Sequence, residues 1–539
     1  MRFAGSPAYT RARPDRDASG RARVLGEHAV TAADRGMDRA SCLRAGLIEA
    51  GLLVVAALLI RGGVLNARSL WFDEAFSVAV ARLPWREALS VIRTDAHPPL
   101  YYLLLHVWIQ MGDSPTVVRG LSAIFGAMTV AATYGFGRRL AGRALGIASA
   151  ALVAASALSI QASAEARMYP LLTFFGLMAT WALWESARAG RVWMWASYAL
   201  FLSLALYTNY LAFLLIVAHA IYILAAHRAT RQIRTGFLLT VAAALLAFIP
   251  WWPAAIRQLS EERLATVSRG SMPLTAPLEI VALSSFGGYL FGLGGYLVGS
   301  LKAAWAQVLL VASFLLLGVW GAVSLPGRGT RALVLTAWAV PLGILVLASL
   351  GTGIYYAIPR YAAYVQPFLA ILLAQGLLTL TGRARGGVRT LSAAVPIVFV
   401  VGLNLLVLGL TFADARYVPY DWAGAAHYVK ARWQPGDALL FYPHTARVAF
   451  GYYFRQQVAT AVTLYAPPWR SPQASSVWLE GLPPAPVLVG QARRVWLVLT
   501  IPTPPETTEA LLAKLRESYV QRSFVDFRDV WVLAYERPR

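Results

Sequence analysis

The run AGLIEAGLLVVAALLIRGGVL, Ala45 to Leu65, followed shortly by Trp71-Phe72-Asp73-Glu74-Ala75-Phe76-Ser77, decides how the rest of the chain is read. About twenty apolar residues are what a helix needs to cross the hydrocarbon core of a bilayer. Two adjacent carboxylates then stand just beyond the membrane edge.

Working outward, composition agrees with that reading. Of 539 residues, 58% are hydrophobic and 14% charged, against roughly 25% charged in soluble domains. The expected fold class is therefore an all-α polytopic membrane domain. The formal charge of +22 is almost wholly arginine, with lysine only at Lys302, Lys430 and Lys514. Because the arginines recur between apolar runs, they orient loops or meet anionic lipid, and nucleic acid is not expected as a partner. The single cysteine, Cys42, excludes an intramolecular disulfide and a cysteine-rich metal site.

Residues 1–43 have few bulky apolar side chains and are expected to form a disordered cytoplasmic tail. No small-residue cleavage pattern follows the first apolar run, which is expected to remain as an anchor. Nine arginines against five acids through Arg44 put the N-terminus inside and the Asp73-Glu74 pair outside. Pro98 to Met111 is short for a span. If it crossed, Arg138-Arg139-Leu140-Ala141-Gly142-Arg143 would fall outside, so residues 66–116 form a first external loop with interfacial helices. Further spans are expected near 117–136, 143–161, 170–187, 192–208, 211–227, 236–253, 303–325, 332–350, 362–381 and 390–412, about eleven in all, closing the membrane domain 44–412. The polar loop 254–276 should lie outside, and glycine-rich 277–300 is expected to be re-entrant or interfacial. From residue 413 the pattern becomes that of a soluble protein: Trp422 to Arg432 has helical period, Pro435-Gly436-Asp437 is a turn, and Ala438–Tyr442, Val495–Thr500 and Asp529–Tyr535 read as strands. Residues 413–539 are expected to form a small extracytoplasmic α/β domain.

Candidate site residues lie on that outer face. Asp73 can N-cap a helix running through Val80 with Glu74 in its first turn. Equally, the apolar surround of Trp71, Phe72 and Phe76 would raise a carboxylate's pKa and make it a better base. In His97-Pro98-Pro99-Leu100-Tyr101-Tyr102, Asp95 can cap a helix opened by a proline, while His97 could meet phosphate or, with a carboxylate, a metal. Arg119, Arg167 and Arg360 could each snorkel to headgroups. Together they fit a phosphate that needs bidentate cationic donors, with Arg360 favoured beside Tyr355, Tyr356 and Tyr361. His106 and His219 sit on apolar faces and are expected to pack in the interior.

In order and rough spacing, Asp73-Glu74, His97-Pro98-Pro99-Leu100-Tyr101-Tyr102, Val118-Arg119, Glu165-Ala166-Arg167-Met168-Tyr169 and Pro359-Arg360-Tyr361 resemble the multispanning glycosyltransferases that use polyprenyl-phosphate sugars, including protein O-mannosyltransferases and lipid A aminoarabinose transferases. The resemblance covers residues 45 to about 380. It implies the GT-C fold, a multi-pass protein of the bacterial plasma (inner) membrane, and a hexosyl- or pentosyltransferase that takes a polyprenyl-phosphate sugar donor and a hydroxyl acceptor on protein, lipid or glycan. Asp73 inherits the role of base or acceptor-orienting group, with Glu74 beside it. Arg360, Arg119, Arg167 and Tyr361 are expected at the donor phosphate, and His97, Tyr169 and Tyr102 at the substrate. Ala96-His97 and Tyr169 depart from relatives that carry charged residues there, so no metal ligand is assigned and a divalent metal stays an open alternative. The rival readings are a non-enzymatic flippase of lipid-linked sugars and a ligase or polymerase of lipid-linked glycans. The flippase should place charge mid-span, whereas here charge gathers at the outer ends.

Overall fold

The computed structural model describes residues 39–225, 230–260, 301–352, 359–381, most of 395–409, 420–455, 461–465, 476–478, 492–500 and 505–538. The expected tail, apart from its last residues, most of the 254–276 loop, the 277–300 element, Tyr355 and Tyr356, and much of the 390–412 span lie outside the described residues.

The first apolar run is helical from Arg39 to Gly62. The next long helix, Pro115–Ala141, starts where the sequence supplies a cap. The Ser114 hydroxyl accepts from the Val117 N–H, Pro115 occupies the first turn, and Arg138 and Arg139 close the last turn. At 27 residues it is roughly 40 Å long, enough to cross a bilayer. Among the described residues four helices are long and apolar enough to span, and up to six if each of two bent pairs, 143–163 and 231–259, counts as one. Val192–Thr208, Ala212–Ala225 and others are shorter apolar helices, and the described residues do not confirm the eleven spans expected. Helices Leu301–Ser324 and Gln366–Thr381 touch backbone to backbone. A Cβ on Gly321 would sit 1.8 Å from the Leu372 carbonyl, and one on Gly376 would sit 2.5 Å from that of Leu317. Small residues permit this close approach.

Between the first two long helices lie three short ones, Phe72–Ala81, Trp85–Ile92 and Leu100–Trp108. The last continues as a three-residue 3-10 turn to Met111. Its total length of roughly 18 Å is too short to cross, as the sequence led us to expect. Two capping expectations fail. The N-cap of the first short helix is Trp71, which puts Asp73 and Glu74 inside the first turn. The N-cap of Leu100–Trp108 is Pro99, and Asp95 instead accepts from the Tyr102 hydroxyl at 2.6 Å.

The C-terminal segment builds a six-stranded sheet from β1 (Ala438–Tyr442), β2 (Ala461–Tyr465), β3 (Ser476–Trp478), β4 (Arg494–Thr500), β5 (Val520–Asp526) and β6 (Val530–Glu536), in the order β3-β2-β1-β4-β6-β5. The pairs from β3 to β4 are parallel, and β6 and β5 add on antiparallel. Central β1 is buried throughout, as a two-sided parallel strand must be. Leu440, Leu497, Leu499 and Leu533 pack with Leu511 and Leu515 of helix Pro505–Arg516. Helix His444–Phe454 packs on the Phe72–Ala81 helix and so joins the sheet to the element that carries both carboxylates.

Candidate active site

The two neighbouring acids of the Phe72–Ala81 helix meet opposite surroundings. Glu74 is fully buried against Arg119, whose Nε and Nη2 each donate to it at 2.7 Å. The Ala166 N–H adds a bond at 2.8 Å and the Trp71 N–H one at 3.3 Å, so all four lone-pair positions are taken. Burial alone would push the Glu74 carboxyl up, but the Arg119 charge and hydrogen bonds, with Arg68 and the Ala166 amide, outweigh it and hold it below the ordinary value. The remaining Arg119 donors reach the carbonyls of Leu65, Arg68 and Ser69 at 2.6, 2.9 and 3.1 Å. All five guanidinium N–H groups are used. In this arrangement neither residue presents a free group to a substrate. The expectation that Arg119 meets a phosphate, and that an apolar surround makes Glu74 a basic carboxylate, is therefore corrected: the two form a closed clamp that ties three loop carbonyls to the helix.

Asp73 points the other way. Its side chain is 22% exposed, and its Oδ2 lies 3.5 Å from Arg360 Nη1 and 3.8 Å from Arg167 Nη2. Arg167 Nη1 also reaches the Asp73 carbonyl and the Ser77 hydroxyl, both at 3.4 Å. The Arg360 guanidinium lies 5.2 Å from the centre of the Trp71 ring and 5.7 Å from that of Tyr361. The Tyr361 ring is in turn 6.1 Å from that of Tyr169. Among the described residues, Arg167 Nε, Arg360 Nε and the Tyr169 hydroxyl are buried without a hydrogen-bond partner, and such groups call for an explanation. His97 feels the charges of Arg167, Asp73 and Arg360. Burial and the two arginines push it down to about 3, with Asp73 opposing, so its imidazole is neutral at physiological pH.

The structure thus gathers Asp73, His97, Arg167, Tyr169, Arg360 and Tyr361 at one place. Tyr102 lies behind this group, buried, edge-on to Phe76, with its hydroxyl on Asp95. Its expected contact with substrate does not fit that placement. His219 is interior as expected, between Thr180 and Tyr198 at 3.0 Å each. His106 is half-buried with Nδ1 2.7 Å from the Ala81 carbonyl. Arg68, which pairs with Glu165 at 2.8 Å, and buried Arg61, held by Ser159 and Ser163 at 2.9 and 3.1 Å, were not singled out from sequence. The signal for Arg61 was present, a lone cation closing an otherwise apolar run. Among the described residues no cluster of three or more His, Cys, Asp or Glu is placed to hold a metal ion.

One segment of the chain matches a known family, and the fold is similar to that of solved membrane enzymes. Residues 96–253 match the family described as dolichyl-phosphate-mannose-protein mannosyltransferase. The fold is similar to that of ArnT from Cupriavidus metallidurans bound to undecaprenyl phosphate, with a TM-score of 0.59, 14% identity, and 90% of this chain and 97% of that one covered. It is also similar to an Archaeoglobus fulgidus oligosaccharyltransferase solved with Zn and sulfate, with a TM-score of 0.53, 12% identity, and 90% and 73% covered. No curated protein matches the sequence.

Proposed function

We propose that the protein transfers a sugar, with inversion, from a polyprenyl-phosphate donor to an acceptor hydroxyl at the extracytoplasmic face of the bacterial plasma membrane. One observation carries this reading: a part-exposed carboxylate, Asp73, stands beside two arginines and a tyrosine that each keep a buried donor unpartnered. Asp73 takes the proton of the acceptor hydroxyl, whose oxygen attacks the anomeric carbon. The bond from that carbon to the phosphate oxygen breaks, and polyprenyl phosphate leaves with the electron pair. Arg360 and Arg167, with Tyr169, stabilise the charge on the departing phosphate. At 3.5 and 3.8 Å the Asp73–arginine contacts are long, so a phosphate can compete for the guanidinium groups. Neutral His97 serves as a donor or acceptor to a sugar hydroxyl, and Tyr361 steers Arg360.

Topology belongs to the same proposal. The positive-inside distribution puts the N-terminus in the cytoplasm and the sheet domain with the site outside, where a donor anchored by its lipid tail replaces nucleotide sugars. The test uses proteoliposomes with radiolabelled polyprenyl-phosphate sugars supplied to wild type. Appearance of unlabelled polyprenyl phosphate together with label on an acceptor is expected. Movement of intact donor between leaflets without its cleavage would instead favour a carrier.

A further inference from the structure

A cavity of about 320 Å³ lies between residues 66–69 and the C-terminal domain, outside the cluster around Asp73. That volume is within the roughly 300–1,000 Å³ of small-molecule sites. Its walls combine aromatic and planar polar groups: Tyr420 and Tyr453 with Asn66, Asp421 and Arg528. Aromatic faces cover the C–H faces of a sugar ring, while amide, carboxylate and guanidinium groups take its hydroxyls.

Charge narrows the ligand class. Of the two arginines lining the cavity, Arg68 is already paired with Glu165 at 2.8 Å, and Asp421 offsets Arg528. The near balance suits a neutral polyhydroxylated ligand better than a phosphate. The wall is also pre-organised. The Ser69 hydroxyl accepts from the Ala423 N–H at 3.2 Å, and the Leu70 N–H donates to the Tyr453 hydroxyl at 2.7 Å.

Backbone strain marks the same place. Among the described residues four that are not glycine have positive φ, and three meet here: Tyr420 at 64°, Arg528 at 51° and its neighbour Asp529 at 69°. The Tyr420 N–H donates to the Arg528 carbonyl at 2.7 Å, locking two of them together. Strain of this kind gathers at ligand clamps. Finally, the cavity is close to the reacting group. Ser69 lines it, and Trp71, whose ring carries Arg360, is two residues further on. The stretch between spans at most about 7 Å.

We propose that this cavity is a subsite for the acceptor, a neutral saccharide whose adjoining sugar presents its hydroxyl to Asp73. The inference rests on the sugar-transfer reading above and gives its acceptor a chemical class. The test presents the full-length chain in lipid nanodiscs to an array of neutral hexose oligosaccharides, with inorganic phosphate as competitor, and measures polyprenyl phosphate binding in parallel. Wild type and Asp73→Asn are expected to retain the same oligosaccharides. Tyr420→Ala and the surface variant Arg528→Ala should each weaken that binding about tenfold while polyprenyl phosphate binding is unchanged. No oligosaccharide bound by wild type, undiminished binding in both variants, or displacement by phosphate overturns the subsite. Oligosaccharide binding without any cleavage of the lipid-linked donor would instead overturn the transfer reading, so the two failures are distinguishable.

Discussion

Asp73 and Glu74 are neighbours in sequence and near opposites in environment. In a helix successive side chains diverge by about 100°. Here that turns Glu74 into Arg119 and the Ala166 amide, and turns Asp73 toward Arg167 and Arg360. Glu74 has every lone-pair position filled at full burial, whereas Asp73 makes only long contacts and keeps part of its surface open. The role of a carboxylate follows from how many of its hydrogen-bonding positions the fold leaves free. A pair of acids in a sequence can thus contain one structural member and one reactive member.

The largest effect expected from breaking this contrast is on folding. Arg119→Met strands the Glu74 charge, and removal of one partner of a buried pair costs about 3–5 kcal/mol. Little folded protein should be recovered, as measured by monodisperse yield and thermal unfolding in detergent. Second, Arg360→Ala should melt close to wild type but lower transfer on the order of 10²–10³-fold, read as the turnover of lipid-linked donor. Arg360→Lys, which lacks the planar fork, should restore only part of it.

Third comes pH. His97 in the folded chain sits at about 3 against an ordinary value of 6.5, so below pH 6.5 the unfolded state binds a proton that the folded state refuses. Stability is then lost as pH falls from 6.5 toward 3. Glu74, held below its ordinary 4.5, adds to the loss only in the lower part of that range. His97→Gln should therefore flatten the fall in melting temperature between pH 6.5 and 4.5 and leave the steeper acid limb. The smallest effect is at the exposed Arg82–Asp113 pair, 2.5 Å apart with side chains 38% and 36% exposed. Arg82→Ala should change stability by about 1 kcal/mol or less, against the several lost at the buried clamp.

The short helices between the first two long ones were legible because they follow from length: Leu100 to Met111 is too short to cross a bilayer. Asp73, His97, Arg167 and Arg360 were read as a set because they were expected on one face and stand in the ordered motifs that carry the family resemblance. What sequence did not reveal was partnership. Arg119 and Arg360 look alike as arginines at helix ends, and only the packing of the Phe72–Ala81 helix decides that one spends all five donors on the protein. Strands β2, β3 and β5 also escaped notice. Of these, β5 is an edge strand exposed along most of its length, so it carries no buried apolar run of the kind that identified β1. The deeper link, from Ser69 and Leu70 to Asp421 and Tyr453 of the C-terminal segment, joins residues more than 350 positions apart and has no local signal.

The most direct test of Asp73 as the proton acceptor compares Asp73→Asn with wild type in membranes supplied with a radiolabelled polyprenyl-phosphate sugar of a type that wild type consumes. Transfer should fall by about 10²-fold or more, while the melting temperature and the binding of unlabelled polyprenyl phosphate stay near wild type. Full turnover by Asp73→Asn of the donor that wild type consumes would contradict it.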